Sequence, residues 1–185
     1  MLARKNRGFS LLELIIVMVI AATLVNIALP SFTSLINSQN RRGALHDLMG
    51  VFAFARQHAV MNGAIVTVCP LDTARTCGRD WNGDVHAFLD PDNTRTLTAN
   101  DALLRTISPS GNGRLVARSL SRSFFQFRPT GFIHSDLGNI TWCPESGDPT
   151  LAGQIIISRG GRVRIARDTD KDGIPEDSKG RPLRC

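Results

Sequence analysis

Three groups of side chains in this sequence have types and spacings that could do chemistry. Asp168-Thr169-Asp170-Lys171-Asp172-Gly173 sets carboxylates at alternate positions ahead of a glycine. Oxygens so spaced can wrap a hard cation such as calcium, the glycine allowing the sharp turn. Glu176 falls at the ninth position of such a loop and would act as a fourth ligand, after Asp168, Asp170 and Asp172. The twelfth position, where a bidentate acid is expected, is Lys179, and Pro175 intervenes, so an acidic surface turn is the competing reading. Asp90-Pro91-Asp92-Asn93 is a shorter fragment of the same kind and reads as a turn.

The second group is basic. Arg159, Arg162, Arg164 and Arg167 lie between Asp148 and Asp168 with no acid among them. Arg162 and Arg164 alternate along an expected strand, so their guanidinium groups would share one face and could grip a phosphate with paired donors. A solvated strand face, or contact with a neighbouring subunit, is the alternative. A second acid-free stretch holds Arg105, Arg114, Arg118, Arg122 and Arg128.

The third group is Cys69, Cys77, Cys143 and Cys185. No CxxC pair and no histidine at zinc-finger spacing accompanies them, which argues against a metal site. Two disulfides in an oxidising compartment are the expectation. Of three connectivities, Cys69–Cys77 with Cys143–Cys185 is preferred: one closes a short loop, and the other ties the C-terminus to the body. Trp142, next to Cys143, is expected to pack on that bond. Catalysis finds little support, since His46, His58, His86 and His134 are isolated and neither HExxH nor GxSxG occurs.

The N-terminus must position everything else. Residues 1–8, MLARKNRG, are short and basic, and an apolar run of about twenty residues follows from Phe9, long enough to span a bilayer as a helix. The basic flank would stay cytoplasmic. Glu13 interrupts the run, and a lone carboxylate in such a place is costly and commonly functional. Cleavage between Gly8 and Phe9 would create an α-amino group near Glu13, and a carboxylate satisfying the amine of a neighbouring copy would fix the register of assembly. The formal charge of +6 partly reflects this leader: its removal takes three of 22 basic residues and leaves 19 against 16 acidic ones.

Gly8-Phe9-Ser10-Leu11-Leu12-Glu13 resembles the processing signal of type IV pilins and type II secretion pseudopilins. The resemblance implies that a prepilin peptidase cuts after Gly8 and methylates Phe9, and that Glu13 is the assembly residue. Beyond Pro30, expected to kink the helix, apolar residues recur at three- and four-residue spacing from Phe32 to Ala59, and Asn62-Gly63 ends the element. The period then changes. Short strands are expected at 64–69, 83–89, 123–127 and 138–143, with a hairpin at 154–166 turning on Gly160-Gly161. The architecture is α+β, a pilin fold: a long N-terminal helix packed on an antiparallel β-sheet head. Its segments are a leader (1–8), a transmembrane or filament-core helix (9–30), an amphipathic half (31–63) and a globular head (64–185).

Phe54-Ala55-Arg56-Gln57-His58-Ala59-Val60, Val66-Thr67-Val68-Cys69, Trp81-Asn82-Gly83, Phe127-Arg128-Pro129-Thr130-Gly131 and Gly161-Arg162-Val163-Arg164 resemble the GspH/FimT group of minor pilins and minor pseudopilins. The resemblance implies a non-enzymatic minor type IV pilin that promotes pilus assembly or tip presentation. Its head would sit in the periplasm below a single inner-membrane pass, and later in the extracellular fibre. The implied partners are major and minor pilins, the prepilin peptidase and the inner-membrane assembly platform. A type II secretion pseudopilin and a DNA-binding pilin for natural transformation are the alternatives, the latter because a GRxR motif binds DNA in some FimT-type pilins.

Overall fold

The computed structural model of the protein describes residues 10–109, 111–119, 122–135 and 137–185, leaving aside the side chains of 27–31 within the helix. It divides into two compact units, Met1–Ile36 and Asn37–Cys185. A single α-helix, α1 (Leu11–Asn62), contributes to both. Ser10 starts it by accepting the Glu13 N–H on its hydroxyl at 3.2 Å and the Leu14 N–H on its carbonyl at 3.2 Å, which satisfies two of the donors a helix start leaves open. The helix runs through Pro30 without a break. It stops where Gly63 takes φ +61°, the left-handed conformation that closes many helices. Among the described residues no helix is long and apolar enough to cross a membrane. The expected span over 9–30 takes in Phe9 and the side chains of 27–30, which lie outside the described residues.

Asn37–Cys185 holds two four-stranded antiparallel sheets. The first runs β3 (Leu103–Ile107), β2 (Val85–Leu89), β1 (Val66–Pro70), β5 (Phe125–Phe127). The second runs β4 (Gly113–Ser119), β6 (Gly138–Pro144), β7 (Gly153–Ile157), β8 (Val163–Ile165). Alternation along each strand sends one set of side chains to a common core: Val66 and Val68, Phe125 and Phe127, Leu115, Ile140 and Trp142, Ile155 and Ile157. The helix supplies Ala44, Leu45, Leu48, Val51, Phe52, Ala55 and Ala59 to the same cluster, at the three- and four-residue spacing of one helical face. The Phe52 ring stands edge-on to Phe125 at 5.3 Å and to Phe127 at 6.2 Å, and Trp81 stands edge-on to Phe125 at 5.7 Å. Small residues allow the closest approaches: a Cβ on Gly153 would meet Leu45, and one on Gly113 would fall within the Trp142 ring.

The opposite face of the first sheet is also covered. Cys69, Phe88, Leu97 and Phe124 form a second, smaller core. Beside it Asp90, 1% exposed, anchors a polar network. It accepts from the Thr67 hydroxyl at 2.6 Å, from Gln126 Nε2 at 3.1 Å and from the N–H of Thr94 at 2.8 Å. A buried carboxylate is tolerable only when so supplied with donors.

Three expectations need correction. Strands β3 and β4 fall where none was expected: β3 is an edge strand with Leu103 exposed, and the Arg114 and Arg118 side chains interrupt the hydrophobicity of β4. Arg162 precedes β8 instead of belonging to it. Trp142 points into the core, whereas its neighbour Cys143, on the alternate face, carries the disulfide, so the ring does not pack on that bond.

Phe52→Ala would remove the ring where helix and sheets meet and should cost about 3–5 kcal/mol, a large part of an ordinary domain stability of roughly 5–15 kcal/mol. Denaturant unfolding followed by Trp81 and Trp142 fluorescence measures it; an unchanged midpoint would contradict the packing described.

Candidate functional site

Features that could act on partners lie in several places. Gly8 and Phe9, the expected processing point, lie outside the described residues. Glu13 lies in the first turn of α1 and is exposed. Its position also suits a helix start, where the N-terminal end of the dipole favours an acid. Around it Leu11, Leu12, Leu14, Ile15, Ile16, Val17, Met18, Val19 and Ile20 are each at least half exposed or close to it, and Leu24, Val25, Phe32, Leu35 and Ile36 are exposed too. Polar groups in this stretch turn back on the helix itself: the Thr23 hydroxyl donates to the Ile20 carbonyl at 2.8 Å and Asn26 Nδ2 to the Ala22 carbonyl at 2.7 Å.

The disulfides are Cys69–Cys77 and Cys143–Cys185, with sequence separations of 8 and 42. The second pins the C-terminal tail beside the outer face of the second sheet. A cleft of about 700 Å³ remains there, lined by Arg114 and Arg118 of β4, Asn139 and Thr141 of β6, Gln154 of β7, and Arg181 and Arg184 of the tail. This concentration of arginine was not foreseen from the sequence, because it depends on β4 lying beside β6. Arg181 is held by Asp177 at 2.8 Å. Burial alone would raise the Asp177 carboxyl, but the bonds from Arg181 and Lys179 outweigh it and the net shift is downward.

The four arginines expected near β8 do not form one cluster. Arg162, Arg164 and Arg167 line one groove together with Met49 and Ile165. Arg159 lies in another, with Arg128 and His134. There Arg128 Nε donates to His134 Nδ1 at 2.6 Å; burial, then the charges of Arg128 and Arg122, lower the His134 pKa and favour the neutral ring. The glycine ahead of Arg162 has a packing reason. Gly161 and Gly131 both take positive φ, +73° and +76°, and a Cβ on Gly161 would collide with the Gly131 carbonyl oxygen. The segments 127–131 and 161–164, which look independent in the sequence, meet backbone to backbone.

The acidic segment forms a tight loop between β8 and the tail. Asp168 accepts from the N–H of Lys171 at 2.7 Å and of Gly173 at 3.0 Å, Asp170 from Asp172 at 3.2 Å, and Asp172 from Ile174 at 2.7 Å. Glu176 is buried, and its Oε2 accepts from the Thr169 N–H at 2.8 Å. The Asp172 N–H pulls the Asp170 carboxyl down, but desolvation and the charges of Asp172 and Glu176 outweigh it, and the net shift is upward.

Two family models match the chain: type II transport protein GspH over residues 44–161 and the prokaryotic N-terminal methylation motif over residues 3–28. No curated protein matches the sequence. Among solved structures, the type IV minor pilin FimU of Pseudomonas aeruginosa is similar in two crystal forms. One has 18% identity and a TM-score of 0.54 over 80% of this chain and 96% of that one. The other has 16% identity and a TM-score of 0.52 over 70% and 94%. The minor pseudopilin EpsH of the Vibrio cholerae type 2 secretion system matches with 11% identity and a TM-score of 0.48, over 68% and 95%. The two FimU likenesses establish a pilin-like fold.

The two disulfides should differ in weight. Chain-entropy reasoning assigns about 4 kcal/mol to a crosslink spanning some forty residues and about 2.5 kcal/mol to one spanning fewer than ten. Cys143→Ala with Cys185→Ala is therefore expected to lower stability more than Cys69→Ala with Cys77→Ala, apart from any loss of Cys69 packing. Denaturant unfolding of the two double variants checks the order.

Proposed function

The chain belongs to the type II transport protein GspH family, and from that membership we propose that it is a non-catalytic minor type IV pilin that promotes pilus assembly and presentation of other subunits at the tip. The observation that carries this reading is the stretch of α1 from Leu11 to Ile36. Its large apolar side chains at 11–25 and 32–36 are exposed, and its described polar side chains at Thr23 and Asn26 are satisfied on the helix itself. A surface of that kind is costly in water at about 25 cal/mol per Å², and stable only in lipid or among similar helices. Held first in the bacterial inner membrane with its head in the periplasm, the protein would pass into the fibre by exchanging lipid for neighbouring pilins. The prepilin peptidase acts first, cutting between Gly8 and Phe9; the assembly platform then delivers the subunit.

Glu13 supplies register. In a low-dielectric helix bundle its carboxylate is stable only with a partner, and the amine of a processed Phe9 on the adjacent subunit is such a partner. The two disulfides suit a head that must persist outside the cell, and together with the Gly161-Arg162-Val163-Arg164 segment they favour a pilus over a secretion pseudopilus. Glu13→Ala is expected to leave leader cleavage and membrane insertion intact while strongly reducing recovery in sheared pili. Normal incorporation of this variant would refute the register role.

A second reading, DNA binding for natural transformation, is favoured by the shared groove of Arg162, Arg164 and Arg167. It predicts that the full-length chain in neutral detergent shifts duplex DNA at 50 mM salt. Replacing Arg162 and Arg164 by Ala should weaken binding and reduce the salt slope by roughly 1.8, about 0.9 per lost phosphate contact. Arg159→Ala, in a different groove, should change little. Absence of a shift at that salt removes the reading.

A further inference from the structure

The loop between β8 and the C-terminal tail holds an arrangement that neither assembly nor DNA binding explains. One carboxylate oxygen from each of Asp168, Asp170, Asp172 and Glu176 lies within 4.8 Å of the others. Three of these side chains are exposed, but Glu176 is only 8% exposed, and its Oε1 is buried with no hydrogen-bond partner. A buried carboxylate oxygen without a hydrogen bond of its own is unfavourable unless something positive sits against it. An exposed acidic turn would leave all four acids in water, and this one does not.

From this convergence we propose that residues 168–176 form a calcium-binding loop, with Glu176 as its buried ligand. The spacing fits the ion. Oxygens on opposite sides of a calcium ion stand about 4.6–5.2 Å apart, twice its usual 2.3–2.6 Å bond, a span that accommodates four oxygens lying within 4.8 Å of one another. The donors are all hard oxygens, without the histidine or cysteine that zinc prefers, and magnesium generally keeps its waters and takes only one or two carboxylates. The fourth carboxylate comes from the ninth loop position, Glu176, in place of the twelfth, which Lys179 occupies. Glu176 also forms the join to the tail: its N–H donates to the Arg167 carbonyl at 3.0 Å, and it pairs with Pro182 in an isolated bridge. A bound ion would therefore tie β8 to the segment that ends at the Cys143–Cys185 bond.

The test is calorimetric titration of the full-length chain in neutral detergent, stripped with EDTA and dialysed. One calcium per chain is expected, with Kd on the order of 10⁻⁴–10⁻³ M, the range of extracellular calcium modules, and clearly weaker binding of magnesium. Tryptic cleavage at Arg167, Lys171 and Lys179 should slow in calcium. Glu176→Gln and Asp170→Asn should each weaken calcium about tenfold or more, while Asp92→Asn, in the unrelated acidic turn, should bind as the parent does. The proposal is overturned by the unmutated chain alone if it shows no saturable heat up to about 20 mM calcium or binds magnesium as tightly. It is equally overturned if Glu176→Gln binds calcium undiminished.

Discussion

The head is organised by one stripe of helix. Leu48, Phe52, Ala55 and Ala59 have no exposed surface, and they share a single core with the inward-facing residues of both sheets. The interaction is dispersion and apolar burial in an interior too dense for voids, so each sheet's inner face is fixed by the helix surface it must match. Small residues mark where the match is tightest, at Gly153 against Leu45 and Gly113 under Trp142. Because the inner faces are committed to this core, chemistry is left to the outer faces, the edges and the loops. The arginine-lined cleft, the groove beside β8 and the acidic loop all lie there.

Much of this was legible in the sequence, and the reasons differ by element. The helix declared itself by three- and four-residue spacing and by Asn62-Gly63 at its end. β1, β6 and β7 did so by short apolar runs, since their burial leaves little room for polar residues. β3 and β4 escaped notice because an edge strand loses the pairing that selects for apolar residues. In β4 the alternation was present, with Leu115 and Ala117 inward and Arg114 and Arg118 outward, but the arginines mask it when only hydrophobicity is weighed. Asp90 read as a turn acid. Its burial among Thr67, Gln126 and Thr94 depends on strand pairings that local sequence does not encode.

Short motifs proved ambiguous about the force that requires them. Gly161 opens a segment whose arginines invite a binding interpretation, yet the glycine answers to the backbone of Gly131. Two segments that each look like a signature are the two sides of one contact. Within these segments the groove of Arg162, Arg164 and Arg167 is left for recognition to explain, and Arg159, adjacent in sequence, is separated from it by the turn.

Glu13 shows the same ambiguity at the other end of the chain. In Ser10-Leu11-Leu12-Glu13 the Ser10 hydroxyl accepts the Glu13 N–H, the spacing of a helix-capping pair, so an acid here is locally favourable whatever its role between subunits. Capping explains an acid at this position but not the surface around it: a soluble helix start has no use for Leu11, Leu12, Leu14 and Ile15 all exposed. What distinguishes the segment is the acid and the apolar surface together. In water the surface is costly and the acid is not; in lipid or a helix bundle the costs reverse. No single medium suits both, and the proposed pairing of the carboxylate with a subunit amine inside an apolar bundle would satisfy both.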